Sequence, residues 1–258
     1  MVFKSVLAAA LAVFTLAAPL SVHAQEQPPL NPAQVEAVRK LVRQYIMENP
    51  EIIAEAIEAL REKQRLVAEA DAKKALVDRR NEILNDPDSP ILGNPEGDVT
   101  LVEFFDYRCT YCKSVHDDLM QTIKADGKVR LILKEFPILG PESQLAARAA
   151  LAARAQNKYM EFHTALMRLR VPLTEASVMK VAAEVGLNVE KLKKAMAAPQ
   201  ISDALKRNSE LARALDINGT PAFVVGDRII PGALDKGTIK HLIDQSRKTK
   251  DGKEKEKG

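Results

Sequence analysis

The sequence predicts an α/β layer fold with a mixed sheet, preceded by a helical stalk. Three observations carry that prediction. Short β-branched and aromatic runs at 99–105, 129–133 and 222–230 alternate with segments of helical periodicity, the pattern of strands flanked by helices. A long helical block, 142–215, separates the second run from the third. Finally, apolar residues at alternating three and four spacing run through the otherwise charged stretch from Asn31 to Leu84.

The chain has 258 residues and a formal net charge of +3. It opens Met1-Val2-Phe3-Lys4, runs apolar from Val6 to Leu20, and reaches Val22-His23-Ala24. A basic start, a short apolar core and small residues predict a secretory signal, 1–24, cleaved after Ala24. A retained anchor is the other reading, but a span needs about 20 residues and Pro19 interrupts this one. Cleavage removes Lys4 and no acid, and the near-balanced charge left gives no nucleic-acid signal. Export would put the chain's two cysteines in an oxidising compartment.

Residues 25–84 read as a helical oligomerisation stalk and linker. Val35, Val38, Val42 and Tyr45 form one seam; Asn49-Pro50 breaks it, with Asn49 as cap and Pro50 at the first position of a new helix. Ile53, Ile57, Leu60, Gln64 and Val67 resume the spacing. Short isolated helices are marginal in water, so the seams need a partner surface. That partner is either this chain's own second domain or copies of the stalk, and self-association is the reading taken. From Arg61 to Arg80 charges dominate, which reads as a solvated helix that flexes or partly melts.

A mixed domain follows at 85–247. Pro and Gly punctuate Asn85 to Pro90 and Gly93 to Asp98 as turns. The strand Val99 to Phe105 leads to a helix ending near Ala125; the strand Val129 to Leu133 leads to Phe136-Pro137. The insertion, about 141–216, shows Leu145, Ala149, Ala152 and Ala153 on one apolar face and Tyr159, Phe162, Leu166 and Leu169 on another. Thr174 and Asn188 read as helix caps and Gly186 as a stop. Ala222 to Val225 turns at Gly226-Asp227 into Arg228 to Ile230, a hairpin signal, and a last helix covers about Asp235 to Arg247. The tail, 248–258, lacks apolar residues and reads as disordered. Without the helical block a thioredoxin core remains: an α/β thioredoxin fold with an inserted helical domain.

Cys109-Thr110-Tyr111-Cys112 holds the chain's only cysteines, where an apolar strand stops and a helical pattern begins. A thiol at a helix start meets free N–H groups and the positive end of the dipole, and both favour the thiolate that attacks disulfides. A structural staple would close too short a loop to contribute more than about 2 kcal/mol. A zinc site would need a fourth ligand beyond Cys109, Cys112 and His116, and no second pair exists. Redox chemistry is therefore the reading. Cys109, nearest the helix start, is the attacking sulfur, and Cys112 resolves the mixed disulfide. Thr110 and Tyr111 tune the site.

Glu103 sits among apolar neighbours on the strand leading to the pair. A buried carboxylate is costly unless paired or protonated, which makes it a candidate proton acceptor for Cys112, with Lys134 as a weaker candidate partner. Thr220-Pro221 precedes the third apolar run; trans is the default for such a bond. Were it cis, the Thr220 backbone would face an extended substrate. His116, one turn past Cys112, reads as an exposed surface histidine, although a protonated ring there would favour the thiolate. His163 and His241 receive no role, and Met160, Met167, Met179 and Met196 read as core.

The stretches Gly93 to Lys113, Lys134 to Gly140 and Gly219 to Phe223 resemble the DsbA-like thiol:disulfide oxidoreductases of bacterial envelopes. The stalk from Val35 to Leu60 resembles that of the suppressor-of-copper-sensitivity C (ScsC) proteins, some of which are trimeric disulfide isomerases. The resemblance implies that Cys109 and Cys112 are the redox pair, that Pro221 is cis and that Glu103 is the buried acid beneath them. DsbA has His at the second inner position and Val before the cis proline. Tyr111 and Thr220 here match the isomerases DsbC and DsbG. Expected partners are misfolded disulfide-containing proteins, a membrane redox partner that reduces the pair, and further copies of this chain as a homotrimer or dimer. The expected place is the periplasm, with no cofactor. A monomeric DsbA-type oxidase and a Cu(I)-handling protein, with Cu(I) on Cys109 and Cys112, are the rivals.

Overall fold

The structure is a computed structural model that describes residues 30–255; the predicted signal segment lies outside the described residues. The chain falls into two compact units, one up to Ala59 and one from Leu60 onward.

In the first unit α1 (Pro32–Glu48) starts at Asn31, whose side chain accepts from Gln34 N–H at 2.9 Å. Gln34 Oε1 in turn accepts from Asn31 N–H, a reciprocal cap. α1 buries none of its residues, and Val38, Val42 and Tyr45 are 45%, 51% and 56% exposed. α2 (Glu51–Asp78) begins after Pro50. Asn49 does not cap it through its side chain: its Nδ2 donates to Tyr45 O at 2.9 Å and closes α1. The donor end of that amide satisfies one of the carbonyls left free at the end of α1.

The second unit is built on a five-stranded sheet in the order β1 (Ile91–Gly93), β3 (Val129–Glu135), β2 (Val99–Phe105), β4 (Ala222–Val225), β5 (Arg228–Pro231). β2 and β3 run parallel, with Glu103 opposite Leu133 and Phe104 opposite Lys134; the other pairs are antiparallel. Gly226 turns the β4–β5 hairpin at φ 63°, the left-handed region a two-residue turn needs. Eight further α-helices among the described residues complete the unit: α3 (Arg80–Leu84), α4 (Thr110–Asp126), α5 (Pro141–Ala153), α6 (Tyr159–Arg168), α7 (Glu175–Glu184), α8 (Val189–Met196), α9 (Pro199–Ala214) and α10 (Lys236–Lys255).

Strand alternation sorts the core into two layers. Leu101, Phe105, Leu131 and Leu133 face α4, the insertion and α10. Val102, Phe104 and Ile132 face the other way and are covered by Leu76 of α2, Ile83 of α3 and Leu211 of α9. The central strands are thus buried on both faces, as parallel strands are.

Three expectations need correcting. The 61–80 segment is the largely exposed helix expected, but it is neither melted nor clear of the folded unit: α2 is unbroken to Asp78 and buries Ala72 and Leu76. Two apolar residues one turn apart make enough of a face to dock a helix that is otherwise charged. The folded unit therefore begins before residue 85. Next, Ile91 to Gly93, inside the turn-rich stretch, is an edge strand paired to 130–132. Lastly, α10 runs to Lys255, past residue 248, as a continuation of the helix whose earlier turns bury Ile239, Leu242 and Ile243.

Candidate active site

The redox pair takes its geometry from the end of β2. The chain leaves the strand through Asp106, a buried carboxylate that accepts from Arg108 N–H (2.7 Å), Leu139 N–H (3.0 Å) and the Ser143 hydroxyl (2.7 Å). Asp106 O accepts from Cys109 N–H at 3.1 Å. This loop delivers Cys109 to the N-cap of α4, at φ −67° and ψ 113°, and its Sγ accepts from Cys112 N–H at 3.1 Å. The sulfur thus does what a capping oxygen does elsewhere.

Thr220–Pro221 is a cis peptide. The Cys109 thiol, when protonated, donates to Thr220 O at 3.2 Å. Pro221 O accepts from Gly232 N–H at 2.8 Å. Cys109 is 5% exposed and Cys112 wholly buried, while Tyr111 is 69% exposed and Thr110 is open to solvent. The outer sulfur is reached through a narrow window; the inner one is not reached at all.

The two thiols differ chemically for the same reason. Hydrogen bonds from the Cys112 thiol, from the Thr220 side chain and from the N–H groups of Cys112 and Tyr111 hold Cys109 down at about 6, against the opposing effect of burial. Burial, the bond Cys112 gives to Cys109, and the charge of Glu103 push Cys112 far up. Near neutrality Cys109 is a thiolate and Cys112 a thiol. Glu103 lies on the same face of β2 as Leu101 and Phe105. Burial first, then the charge on Cys109, pushes it up to about 8.

Lys134 is not the partner of Glu103. Opposite pairing of Glu103 with Leu133 puts Lys134 on the other face of the sheet, where its Nζ donates to Glu82 O (2.8 Å) and Asp86 Oδ2 (3.1 Å). His116 is not on the surface either. It is 3% exposed, its ring lies 5.1 Å from that of His163, and burial pushes it down to about 4. A neutral ring gives the Cys109 thiolate no charge to pair with. The inner face of α4 holds His116 alongside Val115 and Leu119.

Sequence reasoning missed Asp106 and the group formed by Tyr107, Glu135, Tyr159 and His163. Their signal was present: Glu135 is a carboxylate at the end of an apolar strand, as Glu103 is within one. No cluster of three or more metal-ligating side chains occurs among the described residues, and none of the described helices is long and apolar enough to cross a membrane.

Comparison with known proteins identifies the family of the fold. The DSBA-like thioredoxin domain matches residues 100–244, and the Copper resistance protein ScsC N-terminal domain matches 34–65. The structure of a thioredoxin-like oxidoreductase from Silicibacter pomeroyi is 47% identical, covers 66% of this chain and 98% of its own, and superposes with a TM-score of 0.64. A linker-deletion mutant of Proteus mirabilis ScsC is 32% identical, covers 85% of this chain and 97% of its own, and gives 0.65. The Na(+)/H(+) antiporter NhaA 3 of Salinispora tropica is 25% identical over 218 residues, 83% of this chain. The match takes in 33% of that protein, so the chain spans about a third of its length. With a family match over most of the catalytic unit and a second over the stalk, the chain belongs to the DsbA-like thiol:disulfide oxidoreductases, in their ScsC-type group.

Proposed function

We propose that the protein is a periplasmic disulfide isomerase and reductase that works as an oligomer assembled through its stalk. The observation that carries the chemistry is the capped, ionised sulfur of Cys109 beside a buried protonated Cys112. The Cys109 thiolate attacks one sulfur of a client disulfide. That S–S bond breaks, the other client sulfur leaves as a thiolate, and Cys109 is joined to the client. In isomerisation another client thiolate attacks this mixed disulfide and returns Cys109 unchanged, with no net transfer of electrons. In reduction Cys112 gives its proton to Glu103 and attacks Cys109. The second client thiolate is released, and the pair is oxidised by two electrons. A membrane redox partner then restores it.

Glu103 suits the proton-accepting role because of what holds it up. Part of its shift comes from the charge on Cys109. That charge vanishes in the mixed disulfide, so the carboxyl becomes easier to ionise at the moment Cys112 must lose a proton. Thr220 and Pro221 flank Cys109 and would hold the client strand; Thr110 and Tyr111 line its approach.

The direction is read from the stalk. Val38, Val42 and Tyr45 on α1 and Ile53 and Ile57 on α2 are exposed apolar residues at heptad-like spacing. Packed on copies of themselves they would set several Cys109 sulfurs around one client and raise their effective concentration. The test is reshuffling of scrambled ribonuclease. The mature protein should restore activity and Cys109→Ala should not; equal behaviour of the two would end the mechanism. A second reading, Cu(I) transfer by the two thiolates, draws on the copper-resistance family of the stalk. A Cu(I) titration of reduced protein, repeated alongside the isomerase assay, separates the two.

A further inference from the structure

Behind the redox pair lies a buried polar chain that the thiol chemistry does not use. Tyr107 stands two residues before Cys109 and is wholly buried. Its hydroxyl donates to Glu135 Oε1 at 3.0 Å and lies 2.9 Å from His163 Nδ1. Tyr159, at the start of α6, donates to the same Glu135 oxygen at 2.9 Å. His163, also on α6, stacks near-parallel on Tyr159 and packs edge-on against Phe105 and against His116 of α4. One carboxyl oxygen therefore gathers the loop before Cys109, the end of β3 and the insertion helix α6. Through His163 it also reaches the redox helix.

A buried carboxyl is expensive, and this one gains no cation for its cost. Its side-chain partners are the Tyr107 and Tyr159 hydroxyls, and the carboxyls of Asp106 and Glu103 raise it further by repulsion. Leucine would fill the same space without penalty. What leucine cannot do is accept two hydroxyls. The loop it would release is the short one from Phe105 to Cys109, whose other anchor is Asp106.

We propose that Glu135 is a positioning residue for Cys109: by holding the Tyr107 and Tyr159 hydroxyls it braces the loop that sets the sulfur on the cap of α4, and makes α6 part of that brace. The inference rests on the reading of Cys109 as the attacking thiolate. It assigns the inserted helical domain a part in the redox site, through Tyr159 and His163, beyond covering the sheet.

The role depends on acceptance of hydrogen bonds by Oε1, not on charge. Glutamine keeps that oxygen and leucine does not. The measurement is the rate of Cys109 alkylation by iodoacetamide against pH in the full-length reduced protein, with a thermal melt of each variant. Glu135→Leu should raise the midpoint by about one unit, so that the rate at pH 5 falls about tenfold, because the cap hydrogen bond to a charged sulfur slackens. Tyr107→Phe should move it the same way, and Glu135→Gln should stay within about twofold of the wild type. Variants that melt earlier yet alkylate with the wild-type midpoint would show a purely structural role and overturn the proposal. Should Glu135→Leu fail to fold, Tyr107→Phe, which removes one oxygen, decides alone. An ordinary wild-type midpoint would sink the reading of Cys109 itself; a low wild-type midpoint unmoved in the variants sinks only this inference.

Discussion

Glu103 shows how one side chain links stability to chemistry. Its carboxyl is held at about 8 in the folded protein, above its ordinary value of 4.5. Between those two values the native state binds more protons than the unfolded state, so stability from this group is present at low pH and is lost as pH rises through about 8. Glu103→Gln removes the titration. The reduced variant should gain on the wild type by up to about 1.4 kcal/mol per pH unit from pH 5 to 8, read from denaturant midpoints at fixed m. Parallel curves for the two proteins would contradict the burial assigned to Glu103. In single turnover, the same variant should slow release of the client from Cys109 without slowing its capture. Lys134 has a different part: its ion pair with Asp86 is nearly sealed from water, and burial lowers its pKa. Asp86→Ala should cost about 3 kcal/mol because it strands that charge, checked by urea unfolding.

Among the elements, α2 serves both units. Its far end contributes Leu76, 8% exposed, to the layer that covers Val102 and Phe104. Leu76→Ala should destabilise the catalytic unit by about 2–4 kcal/mol in chemical denaturation while leaving the reduction of a small disulfide intact. α1 behaves in the opposite way. Val38 and Val42 are exposed and outside the catalytic unit's core, so Val38→Glu with Val42→Glu should leave the thermal midpoint of the catalytic unit in place. It should lower the mass in solution to that of a monomer and reduce isomerase activity by severalfold. An unchanged mass would end the stalk argument.

At the scale of the molecule, the strands, the inserted helices and the place of the cysteine pair were legible because each leaves a local mark: alternation, periodicity and a paired motif at a strand end. What was not legible depended on register or on a distant partner. Ile91 to Gly93 forms a strand only because 130–132 is there to pair with it. Glu103 and Lys134 fall on opposite faces because Glu103 sits against Leu133, and a shift of one residue would have reversed that. His116 is hidden by α6, an element with no sequence tie to it. Asp106 and Glu135 anchor the site from within, where a carboxylate looks like any strand-end acid until its partners are seen.

The central claim is that the fold turns one of two cysteines into an ionised nucleophile and keeps the other protonated. The most direct test is to alkylate the reduced protein across pH 4 to 10 and locate the label by mass spectrometry. The account predicts labelling of Cys109 alone, with a midpoint near 6. Labelling of both cysteines together, with a midpoint near the ordinary thiol value of 9, would contradict it.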